Sequence, residues 1–330
     1  MQHPISKRSK AALAALAVGS LMTLAACGSD GTQPAAGSDT GSGSDSTKTI
    51  VFSPLGLKIP AMQQLSEGVQ AYGKSKGYDV IVQDPNMDPQ KQITDLQSVV
   101  ETGKADGVWA IMVAPETASA LVKTAQEKGV PMLLNGVPEA YGLSGMQAGL
   151  TFDTIDYVAQ GKALGEELGN CINEKLDGKG QVIFEENPPG VAGKEDLEGA
   201  AKEALAATAP DAEIVTTVVV KDRAQAQTDI GSALQGNPDV AAVLGNNDEG
   251  ALGALGAFKA AGKELTCITE AGGNDETLAL AKSGDIYAVI ALQFQDDMVQ
   301  SFEGLAAMVD DPKAEGQQLT VPQEVVKAGS

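Results

Sequence analysis

Histidine is all but missing: the only one, His3, lies within the first ten residues of a 330-residue chain. A folded body without imidazole cannot assemble a Ser-His-Asp triad, a Cys-His dyad or a histidine-ligated zinc centre. Basic charge is also scarce, with 23 Lys and Arg against 44 Asp and Glu and a formal charge of -21. No basic stripe is available to neutralise phosphates, which excludes nucleic acid as a partner. Aromatic residues make up 4% and there is one tryptophan, Trp109, placed in a buried-strand pattern that reads as core. No G-x-G-x-x-G follows the first strand, where Ser53-Pro54-Leu55-Gly56-Leu57 stands instead, so a nucleotide enzyme is not expected. Asp84, Asn86 and Asp88 have the spacing of a calcium loop, but Pro89 occupies the position where that loop needs glycine. They read as a turn and helix cap, and neither a metal nor a cofactor is expected.

What is present begins with the N-terminus. Residues 1–27 carry Lys7, Arg8 and Lys10 and then an apolar run, an n-region followed by an h-region. The run is shorter than the ~20 residues a membrane span needs, and Gly19 and Ser20 interrupt it. It stops at Leu24-Ala25-Ala26-Cys27, which resembles the lipobox of bacterial lipoproteins and implies acylation of Cys27 and cleavage before it. At about 0.8 kcal/mol per buried methylene, such acyl chains hold a protein in a membrane almost permanently. The chain is therefore expected outside the cell, tethered to the outer face of the cytoplasmic membrane. Residues 28–48 are Gly, Ser and Asp rich with no large apolar side chain, and read as a disordered linker. Cleavage takes three basic residues from 23 and none of the 44 acids, giving a mature charge of -24.

From Thr49 onward short β-branched runs alternate with amphipathic helices, the pattern of parallel sheets covered by crossover helices. Strands are expected at 49–53, 78–83, 107–113, 131–135 and 147–152, and again at 181–185, 213–220, 240–244, 265–269 and 286–290. The second helix shows the logic, with Asp88 as N-cap, Pro89 at the first helical position, an Ile93, Leu96, Val99 and Val100 face, and Gly103 beyond the end. A last amphipathic helix carries Met298, Phe302 and Leu305, and an extended tail runs from Leu319 to Val326. Length alone favours two domains at roughly 150 residues each.

The Pro60-initiated helix with Glu67-Gly68, Lys76-Gly77-Tyr78, the turn from Asp84 to Pro89, Gly129-Val130-Pro131, and above all Asn247-Asp248-Glu249 followed by Ala251-Leu252-Gly253-Ala254-Leu255 carry a resemblance. The chain resembles the type I periplasmic binding proteins, in particular the ribose-binding-like receptors of sugar ABC transporters. The resemblance implies an α/β fold of two doubly wound parallel-sheet lobes joined by a three-crossover hinge. The first lobe is expected from 49–152 plus 293–310, the second from 153–292, and 311–330 as a tail returning across the hinge. Crossovers are expected near 152–156, 270–273 and 292–295.

The same resemblance implies a monomeric receptor, not an enzyme. It would bind a sugar, polyol or related neutral solute at the carboxyl ends of the strands and deliver it to permease subunits. A receptor presenting ligand to a membrane sensor, or one for a more apolar solute, is the alternative. Two positions match the family's ligand residues: Asn247 in the Asn-Asp-Glu turn and Gln293 at the third expected crossover. Each has a second reading, Asn247 as a helix cap and Gln293 as a hinge brace. Glu270 falls near the family's acidic position, Met62 replaces a stacking ring, and Asn135, Asp153, Asp156 and Phe152 follow from strand-end position. The charged clamp of other relatives is missing, with Asn135-Gly136-Val137 at one of its places and Asp196 with Lys194 at the other. Family topology places Cys171 and Cys267 together in the second lobe, leaving a bridge or two buried thiols as readings.

Overall fold

The computed structural model describes residues 47–311 and 313–330. The leader, Cys27 and all but the last two residues of the linker lie outside the described residues. Within them the chain forms twelve strands and nine α-helices. The first five strands are β1 (Thr49–Ser53), β2 (Asp79–Val82), β3 (Gly107–Ala110), β4 (Met132–Asn135) and β5 (Leu150–Thr154). With β11 (Gln318–Thr320) they make a parallel sheet in the order β11-β5-β4-β3-β1-β2. The second sheet contains β6 (Lys179–Glu186), β7 (Asp211–Val219), β8 (Val240–Leu244), β9 (Cys267–Gly272), β10 (Ala288–Leu292) and β12 (Gln323–Val326). Its order is β12-β10-β9-β8-β6-β7, parallel except for β12. Apart from the two tail strands, the order is one doubly wound pattern used twice.

Each sheet is buried on both faces, as a parallel sheet must be, because its crossover helices divide between two layers. In β1 the alternation is explicit. Ile50 and Phe52 face α1 (Pro60–Ser75) and α9 (Phe294–Asp310), whereas Val51 faces α2 (Pro89–Glu101) and α3 (Ser119–Lys128). Trp109 is buried in the α1/α9 layer, edge-on to Phe52 at 5.1 Å between centroids. The second sheet packs α4 (Tyr157–Lys175) and α5 (Lys194–Thr208) on one face. Its other face is covered by α6 (Arg223–Gly236), α7 (Asp248–Ala261) and α8 (Asp275–Ser283). Cys171 of α4 and Cys267 of β9 form a disulfide with Cα atoms 5.7 Å apart, sewing that helix layer to the sheet.

Three expectations from sequence are corrected. The stretch 107–113 does not stay a strand beyond Ala110, because side chains take the next backbone donors. Asn135 Oδ1 accepts the Met112 N–H at 2.7 Å and Gln92 Oε1 accepts the Val113 N–H at 2.9 Å. Residues 270–273 are not a crossover either: β9 continues through α8 into β10 of the same sheet, with Val289 in register with Glu270. The chain passes between sheets after β5, between β10 and α9, and within the tail at Val321-Pro322. The strand expected at 147–152 runs instead from Leu150 to Thr154, after Gly149 turns the chain at a φ of 73°.

Candidate functional site

The crossovers leave the carboxyl ends of β5 and β10, so the carboxyl edges of both sheets meet at the hinge. In the first lobe two amide side chains at this edge are committed to neighbouring groups, while Gln83 Oε1 beyond β2 and Asp153 Oδ1 on β5 are buried without a partner. Gln92, buried on α2, donates to Ser53 Oγ and to the Ile111 carbonyl, both at 3.0 Å, and so ties β1 to β3. Asn135 at the end of β4 accepts from Met112 N–H and from Tyr141 Oη at 3.1 Å, so its carbonyl oxygen is already committed.

In the second lobe several unpartnered groups gather around one loop. Asn246 is 4% exposed and neither polar atom of its side chain has a partner. It lines a cavity of about 170 Å³ at the carboxyl ends of β6, β8, β9 and β10, with Gln160, Asn187, Ile155, Ala271 and Leu292. Beneath the loop carrying Asn246 lie two buried carboxyls. Glu185 of β6 accepts the Asn246 N–H at 3.3 Å through Oε2 and leaves Oε1 unpartnered, and both Glu270 oxygens are unpartnered. Burial pushes Glu185 up to about 8; burial, then repulsion by Asp248 and Glu185, pushes Glu270 up to about 8. Both therefore favour the protonated form well above the usual carboxylate range. The first turn of α7 fits over Glu185 only because residue 250 is glycine, since a Cβ there would lie 2.0 Å from Glu185 Oε2.

Asn247 is the N-cap of α7, its Oδ1 accepting the Gly250 N–H at 2.9 Å. Of two adjacent asparagines, the one directly before the first helical residue is held by the helix and the one before it faces the cavity. That signal was in the sequence, where Asp248 starts the helical pattern. Gln293 sits at the passage between β10 and α9, its N–H on the Pro322 carbonyl and its side chain 3.4 Å from the Ala291 carbonyl. Phe152 is fully buried and packs against Tyr141, so it belongs to the core rather than to a ligand surface. Asp156 caps α4 through the Ala159 N–H. Asn135 and Asp153 are brought side by side, in register on β4 and β5. Met62 stands apart, in a groove of about 290 Å³ between α1 and α9 with Phe294 and Asp297. Lys194 is engaged with Glu186 and Glu198, so it is not a free cation at the cavity.

A doubly wound pair of lobes with three chain passages and, at the strand ends of the second, a cavity holding an unpartnered buried amide defines a two-lobed solute-binding protein. The chain belongs to the family described as Periplasmic binding protein domain, which matches residues 50–312. It is 31% identical over 294 residues to the ribose import binding protein RbsB of Bacillus subtilis (strain 168), covering 86% of this chain and 88% of that protein. It is 28% identical over 316 residues to the xylitol-binding protein of Mycolicibacterium smegmatis, covering 92% and 80%. Among solved structures it is similar to an ABC transporter periplasmic solute binding protein from Actinobacillus succinogenes 130z with bound D-allose. There the TM-score is 0.69 at 20% identity, covering 85% of this chain and 98% of that one. A periplasmic ribose ABC transporter protein from Conexibacter woesei gives 0.68 at 23%, covering 87% and 94%. At those identities the likeness is one of fold. These curated relatives are named for binding, not for turnover. No helix among the described residues is long and apolar enough to cross a membrane.

Proposed function

We propose that this protein is the solute receptor of an ABC import system, held at the membrane by acylated Cys27, that closes its lobes on a small neutral polyhydroxy solute. The observation that carries the reading is the buried Asn246 carboxamide, with donor and acceptor both free, at a cavity beside the hinge. An amide that can donate and accept suits a hydroxyl, and a buried one left unpaired costs about 1–3 kcal/mol until a ligand satisfies it. The cavity presents no free charged group, which favours neutral solutes such as the ribose, xylitol and D-allose named for the relatives. Contacts from both lobes would draw the hinge shut, and the closed form would be what the permease accepts. Ala271, Ile155 and Leu292 give the same cavity an apolar side. They favour a second reading, a solute with a methyl or methylene face instead of a full ring of hydroxyls.

The test is a thermal-shift panel of pentoses, hexoses, polyols, deoxy sugars and amino acids on the full chain. A solute at a hundred times its dissociation constant adds about 2.7 kcal/mol of stability. A shift with any neutral polyol or sugar supports the reading, and a response confined to charged solutes overturns it. Fractionation of cells carrying Cys27→Ser addresses the tether: the variant is expected in the soluble fraction and the unaltered protein with membranes.

A further inference from the structure

The three passages between the lobes are fastened to one another. Val321 N–H donates to the Thr154 carbonyl at 2.9 Å and Gln293 N–H to the Pro322 carbonyl at 2.8 Å. Gln300 Nε2 donates to Asp297 Oδ1 and to the Thr320 carbonyl, both at 2.8 Å. Two carboxyls project into this junction. Asp153 comes from β5 just before the first passage, and Asp297 from the first turn of α9 just after the second. Asp297 and Ser301 are one turn apart on the same face of α9, so the contact of Ser301 with Asp153 brings the two acids to the same point. Ser301 Oγ donates to Asp153 Oδ2 at 3.3 Å, while Asp153 Oδ1 is buried without a partner.

The surroundings offer no counter-charge. Beside Asp153, β4 presents the amide Asn135 and β11 presents Leu319. From α9 come Ser301 and Gln300, and α1 lines the adjoining groove with Met62 and Leu65. Among the described residues neither acid forms an ion pair, and the charged group facing each is the other. Two neighbouring, largely buried carboxyls cannot both ionise without strong repulsion, so the pair keeps one proton between them.

We propose that the proton shared by Asp153 and Asp297 is a latch on the hinge. While it is held, α9 stays fastened to β5, and when it is lost the two like charges push the first turn of α9 away and loosen all three passages. The effect on solute capture rests on the receptor reading above; the latch itself does not. Burial, then the neighbouring Asp297, pushes Asp153 up to about 7, and burial raises Asp297 as well. The latched form binds the extra proton, so it is favoured below neutrality and lost as pH rises through about 7.

Hydrogen exchange read by mass spectrometry on the full chain, without solute, tests this between about pH 6 and about pH 8.5 after correction for intrinsic exchange rates. Protection of segments 153–157, 292–298 and 319–323 is expected to fall by about tenfold per pH unit above the midpoint, with β1 and β6 unchanged. Asp297→Asn supplies a donor that does not titrate and is expected to abolish the pH dependence. Ser301→Ala removes a donor that favours the ionised form, so its midpoint is expected to move up. Equal corrected protection at both pH values, or the same pH dependence in Asp297→Asn, overturns the latch. If that variant does not fold, an unmoved midpoint in Ser301→Ala overturns it. Because no solute is added, failure of every sugar and polyol to bind leaves this readout intact.

Discussion

Replacing Asn247 by alanine removes the acceptor of the Gly250 N–H and is expected to cost about 1 kcal/mol of stability while leaving solute binding in place. Replacing Asn246 is expected to do the reverse. The thermal shift with solute disappears, and the solute-free protein is no less stable, since no hydrogen bond of that side chain is lost. Paired melting curves with and without solute separate the two. A second pair of residues makes stability depend on pH. Glu185 and Glu270 titrate near 8 when folded and near 4.5 otherwise, so the folded state holds protons that the unfolded chain has released. Stability is therefore full below about pH 4.5 and falls as pH rises toward 8, by about 1.4 kcal/mol per pH unit for each proton retained. Glu270→Gln, neutral and of the same shape, is expected to flatten that slope and to melt higher than the unaltered protein at pH 8. An unchanged slope in urea titrations would count against a neutral Glu270. None of this was legible from the residues alone. Glu270 drew attention as a ligand candidate, but what buries it is the loop at 245–248 and α7 lying over it. Asp297 lay unremarked on an amphipathic helix, because its partner Asp153 is 144 positions away along the chain.

Helices are legible in sequence where start, face and stop all leave marks, as in α2, whose Asp88 accepts from Gln90 and Lys91 N–H groups. Strand ends are less legible, because they depend on which distant side chain takes a backbone donor, as Gln92 and Asn135 do beyond β3. The passage expected at 270–273 was misplaced because a strand leaving one sheet and a strand staying in it have the same local pattern. The pairing of α4 with α5 illustrates a contact that sequence spacing does announce. Gly161 and Gly165 are one turn apart, and a Cβ on either would lie 2.1 Å from a carbonyl oxygen of α5, that of Leu197 or of Ala201. Gly165→Ala is accordingly expected to destabilise by about 1–3 kcal/mol through overpacking. Gly199→Ala, on the exposed side of α5 with open space at its Cβ, is expected to stabilise by about 0.5–1 kcal/mol from helix propensity. Urea midpoints of the two variants, moving in opposite directions, check the packing.

For the whole molecule, two α/β lobes were legible because the alternation of short apolar runs and capped helices occurs twice over. Which segments complete each lobe depends on the last part of the chain. The first lobe's inner layer needs Met298, Phe302 and Leu305 of α9 against Ile50, Phe52 and Trp109, while the second sheet needs only β12 from beyond residue 292. That arrangement sets an order of events for a chain emerging from N-terminus to C-terminus. The segment synthesised first must wait, with its apolar strands incompletely covered, until its missing helix starts 140 positions beyond the end of β5, whereas the later segment can condense almost at once. The sole tryptophan sits in the half that waits. In refolding of the full chain its fluorescence is expected to lag the recovery of helical circular dichroism, because its layer closes only when the sequence-distant α9 docks, and simultaneous recovery would contradict that late docking. An exported protein built this way begins life with its oldest surface still unfinished, a period in which escort by a chaperone would matter most.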